Sequence, residues 1–276
     1  MHARLLVALI PLVAGAARAQ QPADPEVPRL HAWARGAELD ATPQGPAPGT
    51  EAERRERGAA LFRPLCVRCH GWDARGGGAA GVGMEPAPAN LVDRPVKYRS
   101  TPADAKPTEL DLFRTITRGV HGTGMPAFAD WSEADRWALA AYVRSLQPGR
   151  DAPPLAIPAP PADLDAKARV EAGAARARTE GCVTCHGAAG ARADAFSLGP
   201  RFEDRLPARS RDPGELFATI RLGVPGTAMA GRALPDEAIW ELVAWVRARL
   251  PAPGAARTHP QEQEAIGQVV ASCADL

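Results

Sequence analysis

The chain has 276 residues and near-cancelling charge, 33 Lys and Arg against 32 Asp and Glu. With charge so balanced and no polybasic stripe, the sequence gives no sign of a nucleic-acid partner. Runs of strand-like alternation are absent and everything periodic has helical spacing, which points to an all-α protein.

Residues 1–19 read as a secretory signal. Arg4 supplies the positive start, Leu5 to Ala14 the short apolar run, and Ala17-Arg18-Ala19 a small-residue cleavage site before Gln20. The run is too short to span a bilayer comfortably, and no Cys follows it as a lipid attachment point. Residues 20–50 are rich in Pro, Ala and Gly and are expected to be flexible, with a weak helical-turn pattern at Val27, Leu30 and Trp33.

The first folded region is expected over 51–148. It contains Gly58-Ala59-Ala60-Leu61-Phe62 and then Cys66-Val67-Arg68-Cys69-His70. The same pentapeptide pattern returns as Cys182-Val183-Thr184-Cys185-His186 in a second region, 164–250. A lone Cys-x-x-Cys fits a redox pair, a zinc half-site or a disulfide. Cys-x-x-Cys-His followed by Gly, twice, is the attachment pattern of a c-type haem: two thiols for the thioethers, and a His for the iron. The expectation is two covalently bound haem c groups, on Cys66 and Cys69 with His70, and on Cys182 and Cys185 with His186.

Each copy also offers a second iron ligand. Leu112 to Met125 and Leu216 to Met229 align without a gap, agree at nine of fourteen positions and both close on Met. Glycines in both stretches permit the tight turn that brings a thioether over an open haem face. Met is soft and neutral, and His/Met ligation raises the potential. Met125 and Met229 are therefore the candidate axial ligands. Met84 is the rival for the first haem, and His121 is read as a loop histidine because Pro225 replaces it in the repeat.

Between the copies, 149–163 reads as a Pro-rich linker, with Pro153-Pro154 and Pro160-Pro161 favouring an extended, semi-rigid spacer. A strap lying on the domain surfaces is the other reading of the same composition. After 250 comes a tail, 251–276, carrying the odd cysteine Cys273, read as an unpaired exposed thiol.

With these residues in view, the chain resembles the class I cytochromes c, in particular tandem dihaem cytochromes c of bacteria. The resemblance covers 51–148 and 164–250. It implies two all-α domains, each with a helix before Cys-x-x-Cys-His packed across a helix after the Met. In the first copy an aromatic contact between Phe62 and Tyr142 is implied, and Ser132 with Asp135 reads as a capping box for the last helix. Counting back from Cys182 puts Arg178 where Phe62 stands, so Trp245 is expected to pack on alanines under the Arg178 stem. The family also uses a Pro carbonyl to hold the ligating His. Pro200 fits that role for His186, and Pro86 or Pro88 for His70.

The function implied is periplasmic electron transfer, since haem c is attached after export. The partners are redox proteins, met either as a free shuttle or as the cytochrome subunit of an oxidase or dehydrogenase peripherally associated with a membrane respiratory complex. The alternative is a dihaem redox enzyme. A peroxidase needs an iron with an open site, and a sulfur-compound dehydrogenase an unusual ligand such as Cys. Two matched Met ligands and the remoteness of Cys273 weigh against both, so no catalytic residue is assigned.

Overall fold

A computed structural model describes residues 39–187, 202 and 211–251. The signal, Val27 to Trp33, Leu198-Gly199-Pro200 and Cys273 lie outside the described residues. Those that are described form helices and two isolated bridges, with no strand among them.

In the first domain α1 (Glu51–Leu65) starts at Thr50, whose side chain and that of Glu53 satisfy each other's backbone N–H. It runs almost directly into α2 (Val67–His70). Helix α3 (Glu109–Arg118) opens on the same reciprocal arrangement between Thr108 and Asp111. Helix α4 (Glu133–Leu146) starts at Ser132, which caps the Asp135 N–H. The return half of that box is not made. Asp135 instead accepts from the Ser132 hydroxyl at 2.8 Å and from Arg57 of α1 at 2.6 Å. The cap thus also ties α4 to α1.

Helix α1 crosses α4 at Gly58. A Cβ there would lie 2.0 Å from the Ala138 carbonyl oxygen, so only glycine lets the two backbones touch. Around the crossing Phe62, Leu112, Phe113, Ile116, Trp137, Leu139 and Val143 are buried, with Phe113 stacked on Trp137 at 4.4 Å.

The second domain repeats the plan with α5 (Lys167–Thr179), α6 (Cys182–His186), α7 (Pro213–Leu222) and α8 (Asp236–Arg247). Helix α5 crosses α8 at Gly173, whose Cβ would sit 2.0 Å from the Glu241 carbonyl oxygen. Matching the two crossings corrects the sequence register. Gly58 pairs with Gly173, so the counterpart of Phe62 is Ala177, fully buried, and not Arg178, which is exposed. Counting from the cysteines fails by one residue. Helix α5 ends at Thr179 and a left-handed Gly181 (φ 74°) precedes α6, whereas α1 reaches Leu65.

The Pro-rich segment is a strap. Leu155 N–H donates to the Ser100 carbonyl at 2.6 Å, while the Leu155 side chain packs on the second domain's core. The two domains also meet directly. Arg118, at the end of α3, donates to both carboxylate oxygens of Glu215 in α7, at 2.8 and 2.9 Å, and Arg114 stands 3.4 Å from one of them. The Glu215 side chain is only 4% exposed and that of Arg118 11%.

Residues 39–50 hold no helix but are tied down. The Leu39 carbonyl accepts from Arg118 and the Gln44 N–H donates to Glu133. Pro and Gly prevent regular structure there without preventing side chains of the first domain from pinning the backbone.

Candidate haem centres

Cys66 and Cys69 flank one helical turn, and His70 ends it. All four motif cysteines are free thiols. Burial, with the charge of Cys69 adding, pushes the Cys66 thiol up to about 12. Burial also raises Cys69 and Cys182, opposed by Arg68 and Arg232 respectively. A reactive redox pair needs the reverse, a thiolate favoured by its surroundings. Among the described residues no three His, Cys, Asp or Glu side chains gather into a cage for a metal ion.

His70 Nδ1 lies 3.0 Å from the Ala89 carbonyl oxygen. As a donor to it, the ring keeps Nε2 free for a metal. Burial holds its pKa below the ordinary histidine value, against the opposing pull of that hydrogen bond, and so favours the neutral form that a ligand takes. The carbonyl belongs to neither Pro86 nor Pro88. The Pro88 oxygen would lie 2.5 Å from a Cβ on Gly76, and the Pro88 ring sits as close to Gly81. The strand of chain is thus seated against those glycines, and the next carbonyl along faces the imidazole. The Pro200 expectation for His186 falls outside the described residues.

Beside His70 stands Phe62, with ring centroids 6.4 Å apart, and Phe62 in turn meets Tyr142 at 5.2 Å, the contact implied for the first copy. In the second domain α5 supplies only Ala177. The missing ring comes from elsewhere: Phe202 stacks on His186 at 4.7 Å and 16° and meets Trp245 edge-on at 5.8 Å. His–aromatic–aromatic is therefore built in both domains, from a helix in one and from the segment after the Cys-x-x-Cys-His motif in the other. The cation over Trp245 is Arg249, at 4.6 Å, in place of the expected Arg178 stem. A deletion of one helical ring and its replacement by a distant one leaves no periodic trace, which is why pattern reading missed Phe202.

Phe202 is 8% exposed. Phe202→Ala should destabilise the second domain by about 3 kcal/mol, within the usual range for a buried Phe. Urea unfolding of the haem-loaded chain, followed by its tryptophan emission, checks it. A loss below about 1 kcal/mol would mean that the ring fills no space that matters.

The methionine loops agree bond by bond. Val120 N–H donates to the Met125 carbonyl at 3.1 Å, and Val224 N–H to the Met229 carbonyl at 2.9 Å. The Thr123 hydroxyl donates to the Val120 carbonyl and accepts from Met125 N–H, at 2.8 and 3.1 Å. Thr227 does the same between Val224 and Met229, at 2.8 and 3.2 Å. Each loop leaves its helix at a glycine with positive φ, Gly119 (66°) and Gly223 (74°). There a Cβ would stand 2.6 and 2.5 Å from the respective Met carbonyl oxygen. The threonines were visible in the aligned sequences as identities; their role as latches was not. Met84 is half-buried and has no such loop.

The donor set fits haem: paired free thiols on one turn, an imidazole with its second nitrogen available, and a thioether on a latched loop. In the first domain Trp137 Nε1 is buried with no hydrogen-bond partner, an unsatisfied donor that an acceptor on a bound group would use.

Residues 55–147 match the family model described as cytochrome c, and residues 168–246 the one described as cytochrome c oxidase, cbb3-type, subunit III. Among solved structures, a chain of the reducing HAO-like protein complex of Kuenenia stuttgartiensis matches with TM-score 0.64 and 24% identity. The match covers 71% of this chain and 96% of that one. At that identity the likeness is one of fold. No curated protein matches the chain.

Proposed function

We propose that this chain, a tandem of two cytochrome c-type domains, carries electrons between redox proteins of the bacterial periplasm through two covalent haems. Cys66 and Cys69 would hold the first by thioethers and Cys182 and Cys185 the second. His70 with Met125, and His186 with Met229, would be the axial ligands. Bound haem supplies one-electron exchange at its iron; the chain's part is to hold the ligands and keep water away.

The observation that carries this reading is the identical latching of Met125 and Met229. A loop rebuilt with the same glycine, the same threonine and the same two hydrogen bonds serves one purpose twice. Two latched thioethers favour saturated irons, hence a carrier over a peroxidase. The periplasmic assignment rests on residues 1–19 and on the attachment chemistry. No helix among the described residues is long and apolar enough to cross a membrane. The likeness of 168–246 to a cbb3-type oxidase subunit supports a place in a respiratory relay, as shuttle or as subunit.

Met ligation is tested by spectroscopy. Oxidised protein should show the far-red sulfur-to-iron charge-transfer band, about half of it lost in Met125→His and the rest in the double variant with Met229→His. Each change should also lower the potential of the altered haem. A band and potential untouched by Met125→His would transfer the first ligand to Met84.

A further inference from the structure

Arg249 follows α8, and its guanidinium faces two rings at once, 4.6 Å from the Trp245 centroid and 5.8 Å from that of Phe202. The same group donates to the Gly187 carbonyl at 2.9 Å and reaches the His186 carbonyl at 3.5 Å. A permanently charged, planar fork is thereby held against the backbone of the histidine assigned to the second iron. Stacking and two carbonyls fix its place, so the charge does not swing out to solvent as a surface lysine would.

The first domain has nothing equivalent. Trp245 corresponds to Tyr142, so Arg249 corresponds to Leu146, which packs on the first domain's core. Among the described residues a cation acts on a cysteine of each motif, Arg68 on Cys69 and Arg232 on Cys182. Among the described residues Arg249 is a further cation at the second centre, where the first domain has Leu146.

We propose that Arg249 is a positioning residue that raises the reduction potential of the second haem. The proposal rests on the reading that His186 and Met229 ligate that iron. Reduction adds one negative charge to the centre, and a fixed cation in a partly desolvated place favours the form with less positive charge. Hydrogen bonding to the two carbonyls also draws their electron density away from the ligating residue. The second station becomes a stronger electron acceptor than its His/Met pair alone would make it.

The test is a spectroelectrochemical titration of the full haem-loaded chain as parent, Arg249→Gln and Arg249→Lys. Met125→His identifies which wave belongs to the first haem. Arg249→Gln keeps a donor and loses the charge. At a fixed ambient potential it should lower the ferrous-to-ferric ratio of the second haem roughly tenfold, about 59 mV for one electron, and leave the first wave in place. Arg249→Lys keeps the charge and should retain most of the parent value. A second wave unmoved in Arg249→Gln overturns the proposal, as does an Arg249→Lys variant that falls as far as Arg249→Gln. Failure of the ligation reading shows separately, as a parent protein lacking the far-red band of its second centre.

Discussion

Replacing Cys66, Cys69 and His70 together should leave residues 51–148 open to protease while the second domain keeps one haem. The domain is small, and its core is a thin layer between α1, α3 and α4 in which Phe62, Phe113 and Trp137 supply the large surfaces. Small domains bury a modest share of their chain and need a further source of stability. A tightly held group that binds only the folded form supplies it through linkage, and its loss removes that contribution entirely. Limited proteolysis with mass spectrometry reads the result directly, because the two domains give distinct fragments. A resistant 51–148 fragment without haem would show that the side chains suffice.

Glu215→Ala should uncouple the domains. The carboxylate is buried and bidentate to Arg118, with Arg114 beside it. Removing it strands the Arg118 guanidinium in a site that is 11% exposed. Breaking a buried pair from one side costs about 3–5 kcal/mol, whereas replacing both partners by apolar groups is close to neutral. The ends of the two helices add to the pair, Arg118 at the negative end of α3 and Glu215 in the first turn of α7. Thermal unfolding of Glu215→Ala should split into two transitions, and cleavage in the strap at 149–163 should quicken by two orders of magnitude or so. Glu215→Leu with Arg118→Leu should restore a single transition. If Glu215→Ala melts and is cleaved like the parent, the ion pair does not hold the domains together.

Much of the candidate chemistry was readable without coordinates because it is local. Cys66, Cys69 and His70 occupy one helical turn, and Gly119 to Met125 one latched loop, so residue type and spacing carry the pattern whatever surrounds it. The helices flanking them follow from apolar spacing and, for the last helix of the first domain, from the cap at Ser132, and the repeat doubled each signal. Reading became unsafe where one residue of slack was absorbed in the chain. The extra position at Gly181 shifted the count and put Arg178 where Ala177 belongs.

The sequence by itself thus determined the helical class, the tandem organisation and the eight residues proposed to hold two haems. Only the tertiary structure decided which atoms surround them. The Ala89 carbonyl, and not that of a proline, meets His70 because Pro88 is seated against Gly76 and Gly81. Phe202 fills the space left by Ala177, and Glu215 answers an arginine 97 residues earlier in the chain. Short-range patterns are written in consecutive residues, because backbone hydrogen bonds and caps span a few positions. Filling a volume or neutralising a buried charge asks only that some side chain be within reach, and the folded path of the chain alone says which one is.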